Sequence, residues 1–256
     1  MVLTKKGIGY RWWWSIRKVV SQVIRFFGQP KYSLTEPKKL IGYEFLLREW
    51  QGNHWQVSND FSQYQANDIV MLLDQTLAVL PSDLPLLSFN LDQAQFVDPT
   101  FTVALAALHA KRPMHLVVEL TEHDDHIAIS QLRQAAAEYV KSGLDVCIDD
   151  VGTGANDRQL VAALAPYANE YKFALQNFRA VGTTEQALPE LKFWRHLATQ
   201  EHKLFALEGI EDQSDLDIVS EYAPDVLQGY FYDRPELIEV AWQKATHQYF
   251  GKSLYF

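Results

Sequence analysis

Short apolar runs that each end on a charged or amide side chain recur along this 256-residue chain. Such runs are typical of buried β-strands, and segments with helical periodicity lie between them. From Asn90 to Gln228 the polar ends follow one another at intervals of 20 to 36 residues. A strand, a helix and their two loops together take about 30 residues. The recurrence therefore predicts an alternating β/α chain with a parallel sheet.

Two architectures fit this alternation, a doubly wound open sheet and a closed barrel. A barrel brings the carboxyl ends of all its strands to one mouth, whereas an open sheet gathers them at a single switch point. Polar residues end nearly every predicted strand, which favours the barrel. Its usual length of about 250 residues also matches the chain. We therefore predict an α/β protein with a TIM-like (β/α)8 barrel over residues 25–256.

Residues 1–24 form a separate predicted element without any acidic residue. Its basic residues are Lys5, Lys6, Arg11, Arg17 and Lys18. From Trp12 onward apolar residues recur at helical spacing, which predicts a basic amphipathic helix. We expect this helix to cap the core of the barrel, or alternatively to contact a membrane surface or a protein partner. Polar residues interrupt it too often for a membrane span.

Charge and cysteine content limit the partners and the compartment. The net charge of −9 argues against a DNA or RNA polymer as the ligand. A small anion is compatible with it if cations or metal ions are gathered locally. The single cysteine, Cys147, lies in an apolar run and is predicted to be a buried, inert thiol. One cysteine suits a reducing compartment, so we predict a cytoplasmic protein, membrane-peripheral if residues 1–24 bind a membrane.

In the predicted barrel the polar strand ends meet at one mouth. They are Glu44, Asn90, Glu119, Asp149, Asp150 and Glu208, with Glu211 as a further member. Lys172 is the single cation expected near them. Two carboxylates about 4 Å apart repel each other by about 4 kcal/mol at an effective dielectric constant near 20, so the cluster needs more positive charge. Carboxylate and amide oxygens without cysteine favour two hard divalent ions, Mg²⁺ or Mn²⁺.

This arrangement of ligands predicts the type of reaction that the site would catalyse. Two divalent ions about 3.5–4 Å apart are typical of enzymes that hydrolyse phosphate esters. Lys172 would orient the attacking water and stabilise the charge of the transition state. The ordinary alternative is a barrel rim whose acids end the strands and pair with Lys172. A metal-dependent barrel enzyme acting on a sugar phosphate also fits the fold.

Several short segments of the chain resemble the motifs of one known family and occur in the same order. The segment EFLLR at residues 44–48 resembles the EALLR signature of the EAL domain family, bacterial phosphodiesterases that open cyclic di-GMP to linear pGpG. Seven further segments match in the family's order: Gln29-Pro30 (QP), Asn90-Leu91 (NxS), 119–122 (ELTE), 149–154 (DDFGTG), Lys172 (KID), 207–211 (AEGVE) and 228–230 (QGY). Together they extend from about residue 26 to residue 240, and their common order is specific.

The resemblance implies a TIM-like barrel, two Mg²⁺ or Mn²⁺ ions, cyclic di-GMP as the ligand and a homodimer. The implied metal ligands are Glu44, Asn90, Glu119, Asp149, Asp150 and Glu208. The residues implied in catalysis are Glu44, Lys172, Glu211 and Glu122, of which Glu122 would steady the loop after Asp150. The residues implied in binding the ligand are Gln29, Arg48, Gln228 and Asp150.

The chain departs from the family pattern at a few positions. Phe45 replaces the small central residue of the signature, and strand alternation predicts that it points away from Glu44. Val151 and residues 155–157 differ in the loop, and Ala174 stands where KID has its aspartate. Two functions remain open. The complete set of metal-binding side chains favours a working phosphodiesterase, and the substitutions favour a weak or inactive module that binds cyclic di-GMP or a protein partner as a regulator.

Overall fold

The computed structural model describes residues 24–34, 39–58, 60–112, 114–180, 182 and 184–240. The helix predicted over residues 1–24 lies outside these ranges except for Ile24, which is the first residue of the first strand. The sequence Thr35-Glu36-Pro37 predicts a turn, and these residues also lie outside the described ranges.

Eight of the described strands close into a barrel, which confirms the predicted fold. The strands are β1 (Ile24–Ser33), β2 (Lys39–Gln51), β3 (His54–Gln56), β4 (Leu86–Leu91), β5 (Leu116–Leu120), β6 (Asp145–Ile148), β7 (Glu170–Ala174), β8 (Leu204–Glu208), β9 (Val226–Leu227) and β10 (Glu236–Leu237). The barrel runs in the order β1-β2-β4-β5-β6-β7-β8-β9 and returns to β1. Strands β3 and β10 extend it at β2 and β1, respectively.

The direction of β1 corrects the prediction of a wholly parallel sheet. Strand β1 is antiparallel to both of its barrel neighbours, β2 and β9. The reason is the length of the connection, because only residues 34–38 separate β1 from β2. A parallel neighbour would need a crossover of about a dozen residues or more. The remaining barrel pairs, from β2–β4 to β8–β9, are parallel.

Helices follow most of the parallel strands. They are α1 (Ala66–Leu77), α2 (Gln93–Val97), α3 (Pro99–Lys111), α4 (Ile129–Lys141), α5 (Arg158–Leu164), α6 (Leu175–Arg179), α7 (Thr184–Gln200) and α8 (Asp215–Tyr222). Helix α4 ends before Gly143, which is in the left-handed conformation after Ser142. The short helices α2, α5 and α6 were not predicted. Among the described helices, none has the length and apolar character needed to cross a bilayer.

Hydrophobic side chains form two groups, one outside the barrel and one inside it. Phe45 belongs to the outer group, is 1% exposed and packs against the ring of Phe26 at 5.6 Å. It therefore points away from Glu44, as strand alternation predicted. The inner group consists of Leu86, Val117, Cys147, Ala206 and Val226. It fills the barrel toward the amino ends of the parallel strands and leaves the carboxyl ends to polar side chains.

Candidate metal centre

The ammonium group of Lys172 lies at the centre of the polar part of the barrel and is fully buried. Four carboxylates surround its Nζ atom: Glu119 Oε2 at 2.5 Å, Asp149 Oδ1 at 2.9 Å, Glu208 Oε1 at 2.9 Å and Glu44 Oε2 at 3.3 Å. These acids lie on β2 and β5, just after β6, and at the end of β8. The barrel thus brings together carboxylates that are up to 164 residues apart in sequence, as the strand ends predicted.

Two amide side chains orient Glu44. Asn90 Nδ2 donates to Glu44 Oε1 at 2.6 Å, and Gln228 Nε2 donates to Glu44 Oε2 at 2.6 Å. The remaining oxygens, Asn90 Oδ1 and Gln228 Oε1, are buried and accept no hydrogen bond from the described residues. Buried acceptors are normally satisfied, so these oxygens are open for a cation or a donor from a ligand. Gln29 lies opposite Glu44 in the β1–β2 register, as its place in the site requires.

Asp150 is held in an uncommon backbone conformation beside this cluster. Its φ is 45°, and its carbonyl accepts hydrogen bonds from the backbone N–H and hydroxyl of Thr153 at 3.1 and 2.7 Å. One carboxylate oxygen is bonded by the side chain of Asn177. The other, Oδ1, is buried without a described partner. Carboxylate oxygens of Asp149, Asp150 and Glu122 lie within 4.8 Å of one another.

The loop after Asp150 is firmly anchored although its sequence departs from the family pattern. Asn156 is fully buried and donates through Nδ2 to the carbonyls of Asp149 and Leu120. The N–H of Ala155 donates to the backbone carbonyl of Glu122 at 2.8 Å, so Glu122 lies against this loop. Gly154 has φ 49°, and a Cβ atom there would lie 2.3 Å from the Glu122 carbonyl. Only glycine fits this close approach.

Lys31 corrects the expectation that Lys172 is the single cation near the cluster. Its Nζ atom is buried and lies 2.7 Å from Glu119 Oε1. Glu119 therefore lies between two ammonium groups. Burial alone would raise the pKa of its carboxyl group, but Lys172 and Lys31 outweigh burial and lower this pKa to about 2.

The other acids have too few cations. Burial raises the pKa of Glu208 to about 8, with contributions from the charges of Glu44 and Glu119 that Lys172 only partly offsets. Burial also raises the pKa of Asp149 well above its usual value, and the neighbouring Asp150 raises it further. Carboxylates held together in this way favour either protons or added positive charge.

The site residues fit hard divalent cations. The donor set consists of carboxylate and amide oxygens, and Asn90 Oδ1 and Asp150 Oδ1 are buried acceptors whose partner is not among the described residues. Mg²⁺ and Mn²⁺ prefer such ligands. The observation supports the predicted ligands Glu44, Asn90, Glu119, Asp149, Asp150 and Glu208 as a group.

A cavity of about 310 Å³ opens above the carboxylates. Its walls contain Gln29, Glu44, Arg48, Asn90, Glu122, Asp149, Asp150, Gln176, Glu208 and Gln228, together with Phe61 and His123. The guanidinium of Arg48 is half-buried and donates to the Leu47 carbonyl at 2.9 Å. A cation in the wall and acids in the floor suit an anionic ligand held next to bound metal ions.

Glu211 lies apart from the carboxylate cluster. It lines an adjoining cavity of about 160 Å³ that shares Gln29, Gln176, Glu208 and Gln228 with the larger one. Its side chain is 49% exposed and lies 3.5 Å from Arg179 Nη1. The structure thus brings the other predicted residues together around one centre and places Glu211 at its side.

Sequence reasoning missed several residues around the site, namely Lys31, Asn156, Glu170, Gln176 and Asn177. Two of them carried a usable signal. Lys31 is two residues after Gln29 and Glu170 is two residues before Lys172, so strand alternation puts each on the same face as a predicted site residue. Asn177 follows β7 on the unpredicted helix α6, and no periodicity pointed to it.

Comparison with known proteins agrees with this geometry. The sequence model of the EAL domain matches residues 20–235. The probable cyclic di-GMP phosphodiesterase PdeN of Escherichia coli (strain K12) is 26% identical over an alignment of 232 residues, and the match covers 83% of this chain and 44% of PdeN. The chain therefore spans less than half the length of this curated relative.

Solved structures share the fold. The YkuI protein of Bacillus subtilis, in complex with substrate c-di-GMP and calcium, is 20% identical with a TM-score of 0.71, over 92% of this chain and 63% of YkuI. An EAL domain protein from Listeria monocytogenes EGD-e is 18% identical with a TM-score of 0.69, over 96% of this chain and 98% of that protein. The family match at residues 20–235 includes every strand of the barrel, and the chain belongs to the EAL domain family.

Proposed function

We propose that this protein hydrolyses cyclic di-GMP to linear pGpG with two divalent ions, Mg²⁺ or Mn²⁺. The observation that carries the proposal is the convergence of Glu44, Glu119, Asp149 and Glu208 within 3.3 Å of one buried ammonium group, beneath a cavity with a cationic wall. The names of two relatives support the substrate, because PdeN is a probable cyclic di-GMP phosphodiesterase and YkuI is solved with c-di-GMP and calcium.

The metal ligands in this proposal are Glu44, Asn90, Glu119, Asp149, Asp150 and Glu208. When bound, two such ions activate water and neutralise phosphate oxygens during in-line displacement. Asp149 lies 2.9 Å from Lys172 Nζ and has a carboxylate oxygen within 4.8 Å of one of Asp150, so it would be the carboxylate offered to both ions. Glu122 and Asn156 hold the loop that carries Asp150 and thereby keep its carboxylate beside Asp149.

Other side chains hold the substrate and the attacking water. Arg48 lies in the cavity wall, where its guanidinium suits a phosphate. Gln29 and Gln228 line both cavities and offer amide groups to the ligand. Lys172 orients the water and stabilises charge as it develops on the phosphate. Glu211 acts from the adjoining cavity by positioning groups of the ligand.

One observation favours the second candidate function, a module that binds cyclic di-GMP or a protein partner with little or no turnover. Ala174 is 2% exposed and lies opposite Glu208 in the β7–β8 register, so the aspartate expected there is replaced by a methyl group. Asn177 supplies a hydrogen bond to Asp150 from the following helix. A neutral amide in that role preserves the position of Asp150 but adds no negative charge.

Product analysis separates the two functions. The pure protein is incubated with cyclic di-GMP and Mn²⁺, and the products are resolved by chromatography. Linear pGpG is expected from the parent and none from Glu44→Gln, which removes a charge at the centre. The matched control is Glu138→Gln, an exposed acid on α4 whose side chain pairs with Lys141 and which should leave the rate unchanged. Binding of cyclic di-GMP without any product would support the second function.

We also propose that the protein is a homodimer and that it is located in the cytoplasm. Residues 1–24 are proposed to contact a membrane or a protein partner. The cluster and both cavities lie among residues 29–230. Removal of residues 1–23 is therefore expected to leave hydrolysis in solution unchanged while abolishing binding to anionic vesicles. Unfolding of the shortened chain, seen by circular dichroism, would instead favour the alternative in which this segment caps the core.

A further inference from the structure

A second buried ammonium group lies beneath the proposed metal site, and the proposed reaction does not use it. The side chain of Lys31 is 0% exposed, and its Nζ atom lies 2.7 Å from Glu119 Oε1. The other oxygen, Glu119 Oε2, lies 2.5 Å from Lys172 Nζ. The two oxygens of one carboxylate therefore face opposite ways. Oε1 faces into the barrel, and Oε2 faces the centre that Lys172 shares with Glu44, Asp149 and Glu208.

The antiparallel direction of β1 places Lys31 at this depth. Gln29 lies opposite Glu44 and lines the cavity, and Lys31 follows two residues later on the same face. Because β1 runs against β2, this step leads from the mouth into the barrel. The pairing with β2 shifts between Lys31 and Tyr32. Such bulges occur beside functional sites and redirect a side chain.

Glu170 lies in the same buried layer and is the second acid that attracts Lys31. It precedes Lys172 by two residues on β7, is 1% exposed, and neither of its carboxylate oxygens has a hydrogen-bond partner within the described part of the chain. Lys31 donates to Glu119 rather than to Glu170. The direct contact of Lys31 is thus with the predicted metal ligand.

We infer that Lys31 is a positioning residue of the metal site, which holds Oε1 of Glu119 so that Oε2 alone is presented to the metal ions. Without this contact the bond to Lys172 alone restrains the carboxylate, which can then turn and offer its oxygens in other geometries. Groups that orient a metal ligand in this way typically change metal affinity by 10–100-fold. The inference rests on the proposed function because it takes Glu119 as a ligand.

The test is Mn²⁺ affinity of the full chain, followed by the electron paramagnetic resonance signal of free Mn²⁺. Lys31→Met, which removes the donor, is expected to weaken binding by about 10–100-fold. Lys31→Gln keeps a neutral donor that is one bond shorter than lysine and is expected to bind Mn²⁺ more tightly than Lys31→Met, since positioning depends on the hydrogen bond. Glu170→Gln is the matched control, equally buried in the same layer but not bonded to Glu119, and is expected to remain within about threefold of the parent.

Mn²⁺ binding by Lys31→Met that is as tight as in the parent, or tighter, overturns the inference. An equal loss of Mn²⁺ affinity in Lys31→Met and Glu170→Gln also overturns it, because it indicates general damage to the buried layer. If Lys31→Met fails to fold, the coordination of Glu119 in a Mn²⁺-soaked crystal of the parent tests the inference instead. Coordination through Oε2 with Oε1 still on Lys31 supports the inference, and coordination through Oε1 or through both oxygens overturns it. If the parent binds Mn²⁺ but the variants do not show the expected differences in affinity, the inference about Lys31 is wrong and the proposed function is not contradicted. A parent that binds no Mn²⁺ contradicts both.

Discussion

The two ends of the barrel interior are filled in opposite ways. Toward the amino ends of the parallel strands five apolar side chains are in contact, Leu86, Val117, Cys147, Ala206 and Val226, and the buried Glu170 opposite Cys147 is a charged residue at this depth. Toward the carboxyl ends it holds four carboxylates around Lys172. Apolar burial stabilises a fold by itself, whereas buried like charges lower stability unless cations offset them. The apolar end therefore closes the barrel, and the charged end is arranged to hold positive charge.

Lys172→Met tests this difference at the charged end and has the largest expected effect. Loss of the ammonium group leaves Glu44, Asp149 and Glu208 without it and Glu119 with Lys31 alone, so the free energy of unfolding without metal should fall by about 3–5 kcal/mol. Added Mn²⁺ should restore part of this loss. Urea unfolding with and without Mn²⁺ measures both values. The exposed Lys141→Met is the control and should change stability by less than about 0.5 kcal/mol. Equal effects of the two variants would contradict the account.

Leu86→Ala tests the apolar end. Truncation of this buried side chain should lower the free energy of unfolding by about 2–5 kcal/mol, because it removes apolar contacts and leaves a cavity. Unlike Lys172→Met, this loss should be the same with and without Mn²⁺, and hydrolysis per folded molecule should not change. Urea unfolding and the pGpG assay measure the two effects. A change in metal affinity would show that the two ends are coupled.

Asn156→Ala tests the loop at the border of the charged end. It removes a buried donor shared by the carbonyls of Asp149 and Leu120, so stability should fall by about 1–3 kcal/mol. Because the same loop carries Asp150, turnover should also fall, by about 10–100-fold. Asn156→Asp is not an adequate control, since it adds a charge. Gln159→Ala, an exposed change at the start of the next helix, should affect neither value.

His115→Ala tests an ion pair at the amino ends of β5 and β6 and has the smallest expected effect. His115 Nε2 lies 2.9 Å from Asp145 Oδ2 with 55% of the His115 side chain exposed, so the pair contributes less than about 1 kcal/mol. The hydrogen bond to Asp145 raises the pKa of His115. Its contribution is therefore complete below the unfolded pKa of about 6.5 and is lost as pH rises through the higher folded pKa. Parent and variant should thus differ in stability at about pH 6 but not at alkaline pH. A difference that persists there would contradict the assignment.

The sequence was informative where a residue's face or its place at a strand end decides its role. Alternation along β2 and the polar ends of β4, β5 and β8 predicted the barrel and the acids around Lys172. Periodicity shows which side chains share a face, but it does not show in which direction a strand pairs. The antiparallel β1, and with it the depth of Lys31, therefore could not be predicted from the pattern alone.

The sequence also contains local signals outside the barrel. Gly52 and Asn53 have φ of 54° and 78° and turn β2 into β3, and this residue pair is typical of a tight hairpin. Asn156 stood out in sequence only as a departure from the family pattern. Its role depends on two carbonyls that only the folded chain brings to it, one of them 36 residues away. Contacts of this kind depend on tertiary structure and leave no periodic trace.

The most direct test of the central claim is the number of Mn²⁺ ions bound per chain, measured by plasma mass spectrometry after equilibrium dialysis. The account predicts two ions in the parent, because the carboxylates at the charged end exceed the two buried ammonium groups and form an oxygen-only donor set. Asp149→Asn, at the position proposed to be shared, should bind one ion at most. A parent without bound Mn²⁺, or an Asp149→Asn variant that retains both ions, would contradict the account.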